Sequence, residues 1–293
     1  MDNFSGFEKL YVSTKHGRVS VLTRKGIGPA MILLHGNSFS AEVFSAIAND
    51  PVFAAIPMII PDLPGHGDSE NSPLPSQTYN YAGFGECIIE LANRLDLQSY
   101  MIFGWSLGGQ IAIEMLDRTK GLIGIATCGS AAVPRGPLGL INGFHFSRDL
   151  LLAGKAILSQ KETMRFSDTC TGAIAAEARI HSILRVDPAM RPALSRSTVF
   201  GKGRDQRTVI AETKTPVYLM LGQNDPFIRT EQFTKTAGPT LFGGKPEVLA
   251  GSGHAPFLEH PTNFARRLAG FYRHVETEAA KPKYFEQPLR MAS

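Results

Sequence analysis

Met101-Ile-Phe-Gly-Trp-Ser-Leu-Gly-Gly-Gln110 carries an apolar run into a serine set between glycines, Gly104-Trp105-Ser106-Leu107-Gly108, and then into a helical pattern. Such a segment predicts a strand that turns sharply into a helix, with the serine on a strained turn and the flanking glycines making room for it. Ser106 is therefore the candidate nucleophile. A serine hydroxyl is a weak nucleophile at neutral pH, so it needs a base and a group that orients the base. Both lie downstream. Val217-Tyr-Leu-Met-Leu221 reads as a short strand ending in Gly222-Gln-Asn-Asp225-Pro226, a turn that presents a carboxylate. Glu247-Val-Leu-Ala250 leads into Gly251-Ser-Gly-His254-Ala-Pro256, a glycine-rich loop that presents an imidazole. The order Ser106, Asp225, His254 is the one expected when a triad is built on the ends of successive strands.

Charge that develops on a tetrahedral intermediate needs preorganised N–H donors. The backbone N–H of Leu107, at the positive end of the helix it opens, is one candidate. Ala30-Met-Ile-Leu-Leu34 reads as an earlier strand and runs into His35-Gly36-Asn37-Ser38, where Gly36 permits a tight turn and Asn37 offers its N–H as the second donor. The bland alternative for His35-Gly36 is a simple turn. Asp62-Leu-Pro-Gly-His-Gly-Asp-Ser69 also contains a histidine with nearby carboxylates, but its prolines and glycines read as a compact loop whose polar side chains satisfy its own backbone.

Further apolar runs near Phe7 to Ser13, Val19 to Thr23, Met58 to Pro61, Tyr100 to Phe103 and Leu122 to Thr127 read as strands. Ala41 to Ala48, Tyr81 to Leu95 and Leu107 to Leu116 read as helices. This alternation predicts a doubly wound α/β domain, with a hairpin at His16-Gly17 and parallel strands thereafter. Ligands in such sheets bind at the carboxyl ends of strands, where Asn37, Ser106, Asp225 and His254 all fall. The alternation stops after Ser130. Leu138 to Leu158 and Thr163 to Phe200 read as helical, so the expected organisation is a core of residues 1–130 and 214–275, a helical cap of 131–213, and a polar, flexible tail of 276–293. A cap above the triad would exclude water and shape an apolar pocket, with Trp105, Phe144 and Phe166 as expected substrate contacts.

At 293 residues and 43% hydrophobic content, the chain is long enough for one sizeable core. Three cysteines, Cys87, Cys128 and Cys170, lack the number and spacing of a disulfide framework or a zinc site and read as buried thiols of a reducing compartment. The N-terminus has no basic region followed by an apolar core, and no run reaches membrane-spanning length, so the expected setting is cytoplasmic with no membrane contact. The net charge of +4 comes from a basic excess within residues 131–213. Those arginines are spread through helical sequence rather than clustered with aromatics, which reads as a solvated helical face and not as a nucleic-acid site.

Together, His35-Gly36-Asn37, Pro61-Asp-Leu-Pro-Gly-His-Gly67, Gly104-Trp-Ser-Leu-Gly108, Asp225-Pro226 and Gly253-His254 resemble the α/β-hydrolase superfamily over residues 7–275. The resemblance implies a mostly parallel eight-stranded sheet flanked by helices, with the cap inserted after the sixth strand. More narrowly, Leu34-His-Gly-Asn-Ser38, Phe103-Gly-Trp-Ser-Leu-Gly-Gly109 with Ile113-Glu-Met115, and Gly253-His-Ala-Pro-Phe257 are similar to the α/β-hydrolase type of N-acyl-homoserine lactone lactonase. That likeness implies an enzyme that needs no metal or cofactor and cleaves a small-molecule ester or lactone by acyl transfer through Ser106. The group's acid is a glutamate before Pro-Phe, where this chain has Asp225, and a substrate-facing tyrosine of its cap corresponds to Phe166. A carboxylesterase or a hydrolase of carbon–carbon bonds would use the same triad, and a small-molecule receptor would use the pocket without turnover. A serine at the elbow argues against haloalkane dehalogenases and epoxide hydrolases, which use a carboxylate there. Monomer and homodimer are equally compatible with the sequence.

Overall fold

The computed structural model describes residues 4–134, 136–172, 177–200 and 203–281. The apolar runs become eight strands: β1 (Glu8–Thr14), β2 (Gly17–Arg24), β3 (Ala30–Leu34), β4 (Met58–Pro61), β5 (Tyr100–Trp105), β6 (Leu122–Cys128), β7 (Val217–Gly222) and β8 (Glu247–Leu249). They form one sheet in the order β1-β2-β4-β3-β5-β6-β7-β8. β2 is antiparallel to both β1 and β4, and every other pairing is parallel. All residues of β3, β5 and β7 are buried, as strands covered on both faces must be.

The helix Tyr81–Arg94 shows how the sequence sets the flanking layer. Asn80 caps it by accepting from the Gly83 N–H at 2.9 Å, and Phe84, Cys87, Ile88 and Leu91 recur at helical spacing to form its buried stripe. Burying each of the larger of these side chains contributes about 1.5–3 kcal/mol. The helix packs against Leu107–Met115, which follows β5.

Between β6 and β7 the strand alternation gives way to the helices Pro137–Gly143, Arg148–Leu152, Gln160–Thr171, Glu177–Arg185, Met190–Val199 and Gln206–Glu212. Ser159 opens Gln160–Thr171 with a capping box closed by Glu162.

Three expectations need correction. Ala41 to Ala48 is a 3-10 turn, Ala41–Phe44, followed by one α-turn, Ser45–Ala48. The C-terminal helix Pro261–Ala280 runs past Glu276, because Phe264, Leu268, Phe271, Tyr272 and Val275 hold a buried stripe to its last turns; the tail beyond 281 lies outside the described residues. The basic residues of 131–213 do not all form a solvated face. Arg179 is 7% exposed and Arg191 only 2%, and Arg191 donates to three neutral oxygens: Ser38 Oγ at 2.7 Å, Ala156 O at 3.2 Å and Ile183 O at 2.6 Å. Burial alone pulls its guanidinium down to about 10.

Candidate active site

Ser106 has φ 52° and ψ −111°, the left-handed strain expected of a nucleophile on a strand-to-helix turn. The turn is tight enough to require its glycines. A Cβ on Gly104 would lie 2.3 Å from the Gly108 backbone, and one on Gly108 would lie 2.0 Å from the carbonyl oxygen of Leu34 on β3. The turn is pinned at both ends: the Ser106 N–H donates to Cys128 O at 2.9 Å, and its carbonyl accepts from Ser130 Oγ at 2.8 Å.

His254 and Asp225 meet after β8 and β7. The Nδ1–H of His254 donates to Asp225 Oδ2 at 2.8 Å, while Asp225 Oδ1 accepts the backbone N–H groups of Phe227 at 2.8 Å and Ile228 at 3.1 Å. The carboxylate is thus held as an acceptor, which fixes the imidazole tautomer with Nε2 free to serve as a base. Both side chains are buried. The Trp105 indole N–H donates to His254 O at 2.9 Å, so the elbow also fastens the histidine loop. Phe227 lies edge-on to the imidazole with ring centroids 4.8 Å apart.

Leu107 is the first residue of its helix, so its N–H has no acceptor within that helix. Asn37 lies in the loop after β3. Its side chain donates from Nδ2 to Ala153 O at 2.9 Å and accepts at Oδ1 from Ser38 Oγ at 2.8 Å. His66 is elsewhere: fully buried, with Nδ1 on Pro64 O, in a turn where Asp62 accepts the N–H groups of Ala41 and Asp68. That is the loop reading of 62–69.

A cavity of about 280 Å³ gathers Asn37, Trp105, Ser106, Leu107, Phe144, Phe166 and His254 on its walls. Asp225 reaches it only through His254. Phe166 stacks on Phe39 at 6.3 Å. The sequence reading missed Phe39, Tyr81, Leu140, Leu194, Thr198 and Ile228 on the same walls. Tyr81 and Thr198 meet through their hydroxyls at 3.2 Å although 117 residues apart in sequence, and no local pattern signals such a pair. Cys170 also lines the cavity, and burial pushes its thiol well above the ordinary range. Among the described residues no group of three or more His, Cys, Asp or Glu is placed to hold a metal ion, and no helix is long and apolar enough to cross a membrane.

Residues 31–267 match the model of the alpha/beta hydrolase family. Crystal structures of the N-acyl homoserine lactonase AidH, in complexes that include N-hexanoyl and N-butanoyl homoserine, superpose with a TM-score of 0.88 at 30% identity, covering 92% of this chain and 97% of theirs. The carboxylesterase YbfK of Bacillus subtilis is 23% identical over 90% of this chain and 87% of its own. The pimeloyl-[acyl-carrier protein] methyl ester esterase of Nitrosomonas europaea is 27% identical over 82% of this chain and 94% of its own.

Proposed function

The chain belongs to the alpha/beta hydrolase family and is an ester-bond hydrolase, and from that premise we propose that it works as a serine hydrolase of small esters or lactones, with N-acyl-homoserine lactones as its substrate class. The observation that carries this reading is the convergence of Ser106 and the Asp225-oriented His254 on one largely apolar cavity. His254 Nε2 takes the Ser106 proton as Oγ attacks the carbonyl carbon. The N–H groups of Asn37 and Leu107 hold the oxyanion, and Asp225 stabilises the imidazolium. Collapse breaks the acyl C–O bond and returns the proton from His254 to the leaving oxygen. With a lactone that alcohol stays tethered to the acyl-enzyme, so water activated by His254 must outrun ring closure.

The helices of 131–213 act as a cap domain: Leu140, Phe144, Phe166 and Leu194 supply apolar wall for an acyl chain, while Trp105 closes the side next to the nucleophile. The three buried free thiols suit a reducing compartment, and the cytoplasm is the proposed location. The decisive experiment follows acid release from acyl-homoserine lactones, aryl esters, methyl esters and diketones with the wild type and Ser106→Ala. Highest kcat/KM on lactones, lost in the variant, supports the proposal. Preference for aryl or methyl esters would make the protein a carboxylesterase, preference for diketones a carbon–carbon hydrolase, and turnover by Ser106→Ala would end the serine mechanism. Absence both of turnover and of labelling by a serine-directed phosphonate would point to a receptor.

A further inference from the structure

A chain of hydrogen bonds joins the cap to the loop that carries Asn37. Arg191, on Met190–Val199, donates from Nε to Ser38 Oγ at 2.7 Å; Ser38 Oγ donates to Asn37 Oδ1 at 2.8 Å; and Asn37 Nδ2 donates to Ala153 O at 2.9 Å, back in the cap. The remaining bonds of the guanidinium go to Ala156 O and Ile183 O, so one planar group joins three cap segments to the hydroxyl. Ser38 is held at φ 74°, a left-handed conformation that a serine adopts only when its surroundings impose it. Both bonds of its hydroxyl point to this chain of contacts as the restraint.

We infer that Arg191 is a positioning residue for the reaction: through Ser38 it orients the Asn37 peptide, so that seating of the cap aligns the Asn37 N–H with the oxyanion. The inference rests on the reading of Asn37 as an oxyanion donor. Arg191 itself does not line the cavity. A buried cation bound only to neutral oxygens is costly, and its retention beside the oxyanion loop is what a role in meeting negative charge would require.

The test separates positioning from mere folding. Ser38→Gly relieves the left-handed strain but leaves the buried Arg191 Nε without its acceptor, so stability falls under either role, and a purely structural role predicts an unchanged kcat per titrated site. Positioning predicts in addition a kcat about 10- to 100-fold lower per site titrated with a serine-directed phosphonate, with KM nearly constant. Affinity for a boronate that mimics the tetrahedral adduct should fall by the same factor. Arg191→Ala should show the same split, regain part of its kcat when methylguanidinium is added, and be non-additive with Ser38→Gly. Titrated kcat that is unchanged in Ser38→Gly, or additive losses in the double variant, would overturn the inference while leaving the triad intact. Wild-type enzyme that fails to bind the boronate, or an active Ser106→Ala, would instead remove the reading on which it rests.

Discussion

The proposed mechanism rests on three side chains, and each has its own expected loss. Ser106→Ala and His254→Ala should each lower kcat by several orders of magnitude with the circular dichroism spectrum unchanged, and near-normal turnover by either purified variant would refute the triad. Asp225→Asn keeps the shape but can no longer serve as a pure acceptor for His254 Nδ1–H, so the loss should reach about 10³- to 10⁴-fold. A second histidine, His35, bears on stability through its burial. His35 donates from Nδ1 to Gly36 O at 2.8 Å and accepts the Leu63 N–H at Nε2 at 2.9 Å, so its neutral form is fully used, and burial lowers its pKa to about 4. The folded pKa lies below the ordinary 6.5, so the unfolded chain takes the proton first as pH falls. The associated stability is complete above pH 6.5 and is lost between 6.5 and about 4, by about 3 kcal/mol from this group alone. His16 and His66 are also lowered by burial and add to the same slope. Urea midpoints at pH 7.5 and pH 5 measure it, and a midpoint that held or rose on acidification would contradict it.

Glycine shows how an element is set by what lies against it. Gly108 sits in the elbow helix where an added Cβ would meet the Leu34 carbonyl at 2.0 Å, so Gly108→Ala must push the helix off β3, costing about 2–3 kcal/mol or more and moving the Leu107 N–H. Gly270, within the helix Pro261–Ala280, has nothing within 4 Å of an added Cβ, and Gly270→Ala should stabilise by about 0.5–1 kcal/mol. Denaturant titration of the two variants should move in opposite directions; a shared sign would mean that these close approaches do not govern the packing. The same contrast explains what the sequence disclosed. Parallel strands buried on both faces must be continuous apolar runs, and the elbow needs glycines at set distances from its serine, so the sheet and the convergence of Ser106, Asp225 and His254 were legible. Arg191 and the cavity walls were not. Arginine is exposed by default, and one acceptor of this buried guanidinium is Ser38, 153 positions away, which no local pattern encodes.

At the scale of the molecule, the proposed cap is fastened to the loops after β3 and β4, to the end of the helix Leu107–Met115 through Arg204, and to residues 227–229 beside Asp225. Ser182 meets Ser40 at 2.9 Å, Ala153 O holds Asn37, and Arg191 holds Ser38; Arg185 donates to Ser69 O at 2.5 Å, and Asp187 receives the Tyr79 hydroxyl at 2.5 Å. The Asp187 N–H donates in turn to Gly65 O at 2.9 Å. The proposed cap therefore rests in part on the loop that carries the candidate oxyanion donor, while Phe146 and Leu151 remain exposed where they line the cavity, at 65% and 67%. These bonds let Glu177–Arg185 and Met190–Val199 loosen from the loops while the central strands keep their own pairing. Tyr79→Phe tests this, because it removes the partner of a buried Asp187 carboxylate oxygen and of the Ser72 N–H and so weakens the fastening by about 1–3 kcal/mol. Amide exchange in Glu177–Arg185 and Met190–Val199 should then accelerate by about 10- to 100-fold while amides of the central strands keep their wild-type rates. Uniform acceleration through cap and sheet would show instead that the two open together, and substrate would then have to enter through the gap beside Phe146 and Leu151 with the cap closed.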